Sequence, residues 1–244
     1  MKKSLLAGAS IGAILLATGA QAADMAVHKA PVFKAPPVAP WSWTGFYIGA
    51  NVGVVAATNS VQDDPSSANI WLQPTGVVDH NDQTSVIGGV EAGANWQISN
   101  VVLGAEADIS FAALSRSSSV LAGGGSTATY SSSLDWLSTV RGRLGLAFDR
   151  VLIYGTGGVA FADLKGQLSD PANPFVASPG SSVTGWTAGG GVEYAFTDHW
   201  TAKAEYLHVG FADQTVTVAP GGTSYTFKFK DALDIGRVGI NYKF

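Results

Sequence analysis

Eight stretches of this chain alternate between apolar and polar side chains, and that alternation constrains the fold more than any other feature. They run near residues 44–54, 85–97, 101–111, 134–148, 151–162, 184–196, 200–211 and 227–244. Period two is the repeat of an extended strand, whose successive side chains point to opposite faces of a sheet. The connections alternate in length as well. Residues 98–100, 149–150 and 197–199 are tight turns, whereas 56–82, 112–130, 163–183 and 212–226 are long. The pattern predicts an all-β fold, an eight-stranded antiparallel up-and-down transmembrane β-barrel.

The two faces differ in kind. In the fourth segment Leu134, Trp136, Val140, Leu144, Leu146 and Phe148 share one parity, opposite Asp135, Arg141, Arg143 and Gly145. The third sets Val101, Leu103, Ala105, Ala107, Ile109 and Phe111 against Gly104, Glu106 and Asp108. Glu91 and Asn95 oppose Val90, Ala92, Ala94 and Trp96; Glu193 opposes Trp186, Val192, Tyr194 and Phe196. Lys203 and Glu205 oppose Trp200, Ala202, Ala204 and Tyr206, while Arg237 and Asn241 oppose Val238, Ile240, Tyr242 and Phe244. The fifth segment, with Gly155, Gly157 and Gly158, has no clear phase.

A soluble barrel also alternates, with its apolar face inward, so parity alone leaves both readings open. Aromatic spacing favours the membrane. Trp136 and Phe148 are twelve residues apart, about 40 Å along a strand and roughly 28 Å after a tilt near 45°, the height of an apolar band between aromatic girdles. Trp96, Phe148, Phe196 and Trp200 are expected to form one girdle, and Phe111, Trp136, Phe161 and Trp186 the other. Composition agrees, with 46% hydrophobic and 13% charged residues but no run of some 18 apolar residues past the N-terminus. The absence of cysteine excludes disulfides and cysteine-ligated metals. With 14 basic residues against 18 acidic and no basic cluster, nucleic acid is excluded as a partner.

Residues 1–22 read as a signal peptide: Lys2 and Lys3, an apolar stretch from Leu5 to Leu16, then Ala20-Gln21-Ala22 as the cleavage pattern. Removing the two lysines leaves 12 basic residues against 18 acidic, a net charge of −6. Residues 23–40, with Pro31, Pro36, Pro37 and Pro40, read as an extended periplasmic spacer. A contact with cell wall or partner through Lys29 and Lys34 is the competing reading. The barrel then occupies residues 41–244.

The inward set comprises Glu91, Glu106, Asp108, Glu193 and Glu205 against Arg141, Arg143, Lys203 and Arg237. An eight-stranded barrel is just wide enough for side chains to fill it. These charges are therefore expected to pair across the lumen as a structural plug, leaving no wide channel. Their spread over six strands argues against a convergent catalytic pair or an ion path. His28, His80, His199 and His208 have no metal-ligand spacing, so no metal or cofactor is expected. Gly155-Thr156-Gly157-Gly158 and Gly189-Gly190-Gly191 lack the lysine and helix of a phosphate loop, and Gly123-Gly124-Gly125 reads as a loop tip. His208 with Glu205 lacks a nucleophile for a lipid-modifying enzyme.

The C-terminal run Arg237-Val238-Gly239-Ile240-Asn241-Tyr242-Lys243-Phe244 resembles the terminal strand signal read by the outer-membrane assembly machinery, with Arg237, Gly239, Tyr242 and Phe244 as its marks. Together with Trp43-Thr44-Gly45-Phe46-Tyr47-Ile48-Gly49-Ala50-Asn51, Tyr154-Gly155-Thr156-Gly157-Gly158 and Ala204-Glu205-Tyr206, it makes the chain similar to the small alphaproteobacterial outer-membrane β-barrel family. These are opacity-type, porin-family surface proteins with an OmpA-like eight-stranded barrel. The resemblance spans about residues 41–244 and implies an abundant Gram-negative envelope protein and surface antigen. Some relatives bind haemin, but the histidines here are too few to carry that over.

The expected function is non-enzymatic: a barrel in outer-membrane lipid that supports envelope integrity and presents four loops outside. Two alternatives stay open, a narrow ion-conducting channel and a loop receptor for haemin or a host surface, with Trp71 and His80 as contacts.

Overall fold

The computed structural model describes residues 41–63, 79–121, 125, 127–170, 175–177, 182–219 and 222–244. The signal peptide and spacer readings, His28, Trp71, Gly123 and Gly124 lie outside the described residues. For His80 only the backbone is described.

Ten strands follow in order: β1 (Gly45–Asp63), β2 (Asp79–Ile98), β3 (Val101–Leu121), β4 (Thr127–Phe148), β5 (Val151–Asp170), β6 (Phe175–Ala177), β7 (Ser182–Ala195), β8 (Trp200–Phe211), β9 (Gln214–Val218) and β10 (Tyr225–Lys243). Eight of them close a ring in the order β1-β2-β3-β4-β5-β7-β8-β10, every pairing antiparallel and β10 returning to β1. The short β6 and β9 extend β5 and β10 at one rim. The eight-stranded reading is borne out. At the opposite rim, Ser99 and Asp149 take the left-handed backbone conformation that lets a tight turn join two strands.

The stagger follows from the register. Paired residues traced once round the ring from Tyr47 run through Gly93, Glu106, Arg141, Gly158, Thr187, Val209 and Leu233. They return to β1 at Ala57, ten residues beyond Tyr47. Ten residues of stagger over eight strands tilts the strands by about 40° and advances each residue about 2.5 Å along the axis. Trp186 and Phe196 therefore stand about 25 Å apart in height, the thickness of an apolar band. Between those levels Val52, Val90, Leu103, Val140, Leu144, Ile153, Val192 and Val238 all stand outward and exposed.

Above that band the strands do not stop. The segments 112–130 and 163–183, expected as long loops, are largely strand: Ser115–Leu121 pairs with Thr127–Ser133, and Lys165–Ser169 pairs with Thr129–Ser133. Here the pattern inverts. Ser117, Ser119 and Thr127 face out, while Val61, Ala128, Tyr130, Leu168, Phe227 and Phe229 form a buried apolar cluster. The medium explains the reversal, since hydrocarbon tolerates apolar side chains outside and water drives them in.

One strand changes phase between the two regimes. A bulge shifts the register between Leu134 and Leu137 on β4 and between Phe111 and Leu114 on β3. Leu134, expected on the lipid parity, is consequently buried inside, and Asp135, expected inside, is exposed and paired with Lys165. The fifth segment acquires a phase too: Ile153, Val159 and Phe161 face out, Leu152, Tyr154 and Ala160 in.

Candidate functional site

Each inward charge is held by strand geometry alone, as every second residue of a strand faces the lumen. Arg141 and Arg143 on β4, Glu106 and Asp108 on β3, and Lys203 and Glu205 on β8 form three such pairs. Glu91, Glu193 and Arg237 come from β2, β7 and β10, and all nine side chains are buried.

Arg141 sits at the centre. Its guanidinium donates to Glu106 at 2.5 Å, Asp108 at 2.9 Å and Glu205 at 3.1 Å, and its Nε donates to the Thr139 hydroxyl at 2.8 Å. Arg237 lies 2.7 Å from Glu205 and 3.2 Å from Asp108. Lys203 Nζ lies 2.6 Å from Glu91 and 3.1 Å from Glu106. Arg143 pairs with Glu193 at 2.8 Å, and Glu193 also accepts from Thr201 and Asn241.

Two tyrosines join the network, and glycines make room for them. The Tyr47 hydroxyl donates to Glu106 at 2.6 Å, and the Tyr154 hydroxyl to Glu205 at 3.0 Å. Arg143 stacks over both rings, 5.3 Å and 4.7 Å from their centroids. A methyl group at Gly93 would lie 2.3 Å from Tyr47 Oη, and one at Gly191 would lie 2.8 Å from Tyr154 Oη. The glycines let each ring lie against the barrel wall and bring its hydroxyl to a carboxylate.

The network is closed at both ends by apolar layers that were not anticipated. Towards the long-strand rim, Val55, Leu137, Ala160, Leu207, Val209, Leu233 and Ile235 fill the lumen. At the turn end Trp43, Val102, Leu152 and Ala195 do so. Trp43 donates its indole N–H to the Asp149 carbonyl at 3.2 Å, and Trp41 meets it edge-on at 5.7 Å. A signal for the upper layer was present in the inner parity of β8, which runs Lys203, Glu205, Leu207, Val209, Phe211.

The structure separates His208 from Glu205. Glu205 faces the lumen, whereas His208 faces outward and bonds Asp234 of β10 at 2.8 Å. The marks of the C-terminal signal lie on β10, where Tyr242 packs on Trp200 and Phe244 at 5.1 Å and 5.2 Å. Among the described residues no cluster of metal-binding side chains occurs.

A closed ring with an apolar outer band, aromatic girdles and an ionic interior defines a β-barrel of the outer membrane. The chain belongs to the family described as outer membrane protein beta-barrel domain, whose model matches residues 25–244. It is 37% identical over 249 residues to the 31 kDa outer-membrane immunogenic protein of Brucella melitensis biotype 1, covering 100% of both chains. It is 31% identical to the 22 kDa outer membrane protein of Rhizobium leguminosarum bv. viciae, over 86% of this chain and 82% of that one. Among solved structures, the outer membrane protease OmpT of Escherichia coli superposes with a TM-score of 0.51 at 8% identity, over 85% of this chain and 99% of that one. That likeness is one of fold.

Proposed function

We propose that the protein is a non-enzymatic structural barrel that supports the integrity of the outer membrane, with its lumen sealed and its long-strand rim outside the cell. The observation that carries this reading is the nine-charge network enclosed between two apolar layers: an ion crossing the lumen would leave water at both layers, where hydration is lost without a compensating partner. Short turns on the periplasmic side and long connections outside are the habit of outer-membrane barrels. The similar Brucella proteins are named as immunogenic, which accords with a rim displayed at the surface. Lipid and the assembly machinery are the partners this reading requires, the latter engaging Arg237, Gly239, Tyr242 and Phe244.

The test is planar-bilayer conductance of purified, folded protein. Silence is expected; stepwise currents altered by substituting Arg141 or Glu91 would overturn the sealed barrel in favour of a narrow channel. Orientation is tested separately by added protease, which should cut at the long-strand rim of intact cells.

A further inference from the structure

The outward faces of β8 and β10 carry a linked group of titratable side chains, and it lies at the height of the upper girdle. His208 is eight residues above Trp200 on β8, and Asp234 eight residues above Tyr242 on β10, each about 20 Å higher along the axis. Both stand on the outward parity. Asp234 Oδ1 accepts from the Tyr206 hydroxyl at 2.6 Å and contacts His208 Nδ1 at 2.8 Å. The Trp186 indole lies 5.3 Å from the His208 ring. It can do so because residue 210 is glycine: a methyl group there would meet the indole nitrogen at 2.7 Å.

Below this cluster runs a shallow groove of about 510 Å³ on the outer wall, which Tyr206 borders and whose floor includes Gly190, Ala204 and Gly236, between Val192 and Val238. A methyl group on Gly236 would touch nothing within 4 Å. The groove is lined by apolar side chains and glycines and reaches Tyr206, whose hydroxyl bonds Asp234 in the polar cluster.

We propose that Trp186, His208 and Asp234 hold the sugar headgroup of one outer-leaflet glycolipid, with an acyl chain lying in the groove beneath. An exposed indole offers a flat apolar face to a sugar ring. Asp234 Oδ2, which makes no hydrogen bond among the described contacts, is left to accept sugar hydroxyls. The carboxylate disfavours a phosphate headgroup, because two anions in low-dielectric surroundings repel. The inference rests on the outward orientation of the long-strand rim, which the protease experiment tests independently.

The experiment is native mass spectrometry of the full-length folded protein released from micelles. The micelles are doped equally with a dihexosyl diacylglycerol, phosphatidylglycerol and phosphatidylethanolamine, all of matched acyl chains. One retained sugar lipid per barrel is expected, preferred about tenfold over phosphatidylglycerol. That preference should vanish in Trp186→Ala and Asp234→Ala and survive in Phe161→Ala, which alters the same girdle on β5. Heat-modifiable electrophoretic migration verifies that each variant is folded, and Asp234→Asn replaces any that is not. Equal retention of all three lipids, a preference unchanged by both site variants, or a dimer in place of the lipid adduct would overturn the proposal.

Discussion

Lys203 and Glu91 lie 2.6 Å apart, Nζ to Oε1, with both side chains wholly enclosed although three strand steps round the ring separate β8 from β2. Their pairing belongs to a cluster of four cations and five carboxylates, and the imbalance makes the residues unequal. Arg141 serves three carboxylates, so Arg141→Ala leaves buried charge uncompensated and should cost about 3–5 kcal/mol. Glu91→Gln removes the surplus negative charge while Lys203 keeps Glu106. Urea unfolding in lipid bilayers should show the arginine variant far less stable than the glutamine variant; equal midpoints would contradict the ranking.

Gly93→Ala should act on the same cluster from the wall. The new methyl has no room beside Tyr47, so the ring must swing and release Glu106. A loss of about 1–3 kcal/mol is expected. Pairing it with Tyr47→Phe in a double-mutant cycle checks the route, since additive effects would mean that the glycine does not act through the hydroxyl.

Trp43→Ala opens the floor of the lumen without touching its ceiling. Truncating a buried tryptophan should cost about 3–5 kcal/mol. Conductance should nevertheless stay absent, because the layer of Val55, Leu207, Val209 and Leu233 remains. Currents in this variant would locate the seal at Trp43 alone.

Phe229→Asp puts a charge into the apolar cluster of the extended rim, far from the membrane band. Limited proteolysis in liposomes should then cut the strands near residues 115–133 within minutes. The portion between the aromatic girdles should stay protected. Whole-chain degradation would mean that the rim and the band unfold as one unit.

The alternation of side chains was readable in the sequence because it is a property of the extended backbone itself. Strand number, the inward set of nine charges and the apolar outer face all followed from it. The same rule failed where the surroundings changed. Ser115–Ser119 fell in a stretch read as loop because serine is a poor marker of a strand, yet in the structure it pairs with Thr129–Ser133 as a water-facing extension. Leu134 and Asp135 changed places because a bulge inserts one residue, which no periodicity can foresee. His208 was set beside Glu205 in sequence, but alternate parity sends one out and the other in.

Local chemistry, then, determined by itself that this chain forms eight strands with one greasy face and one ionic face, since each residue's side is fixed by its immediate neighbours. Which charges meet, where apolar layers close the lumen and how Asp234 comes to His208 were decided only by the tertiary structure. Those contacts join residues from 26 to 129 positions apart, and the ten-residue stagger of the closed ring is what brings them to one height.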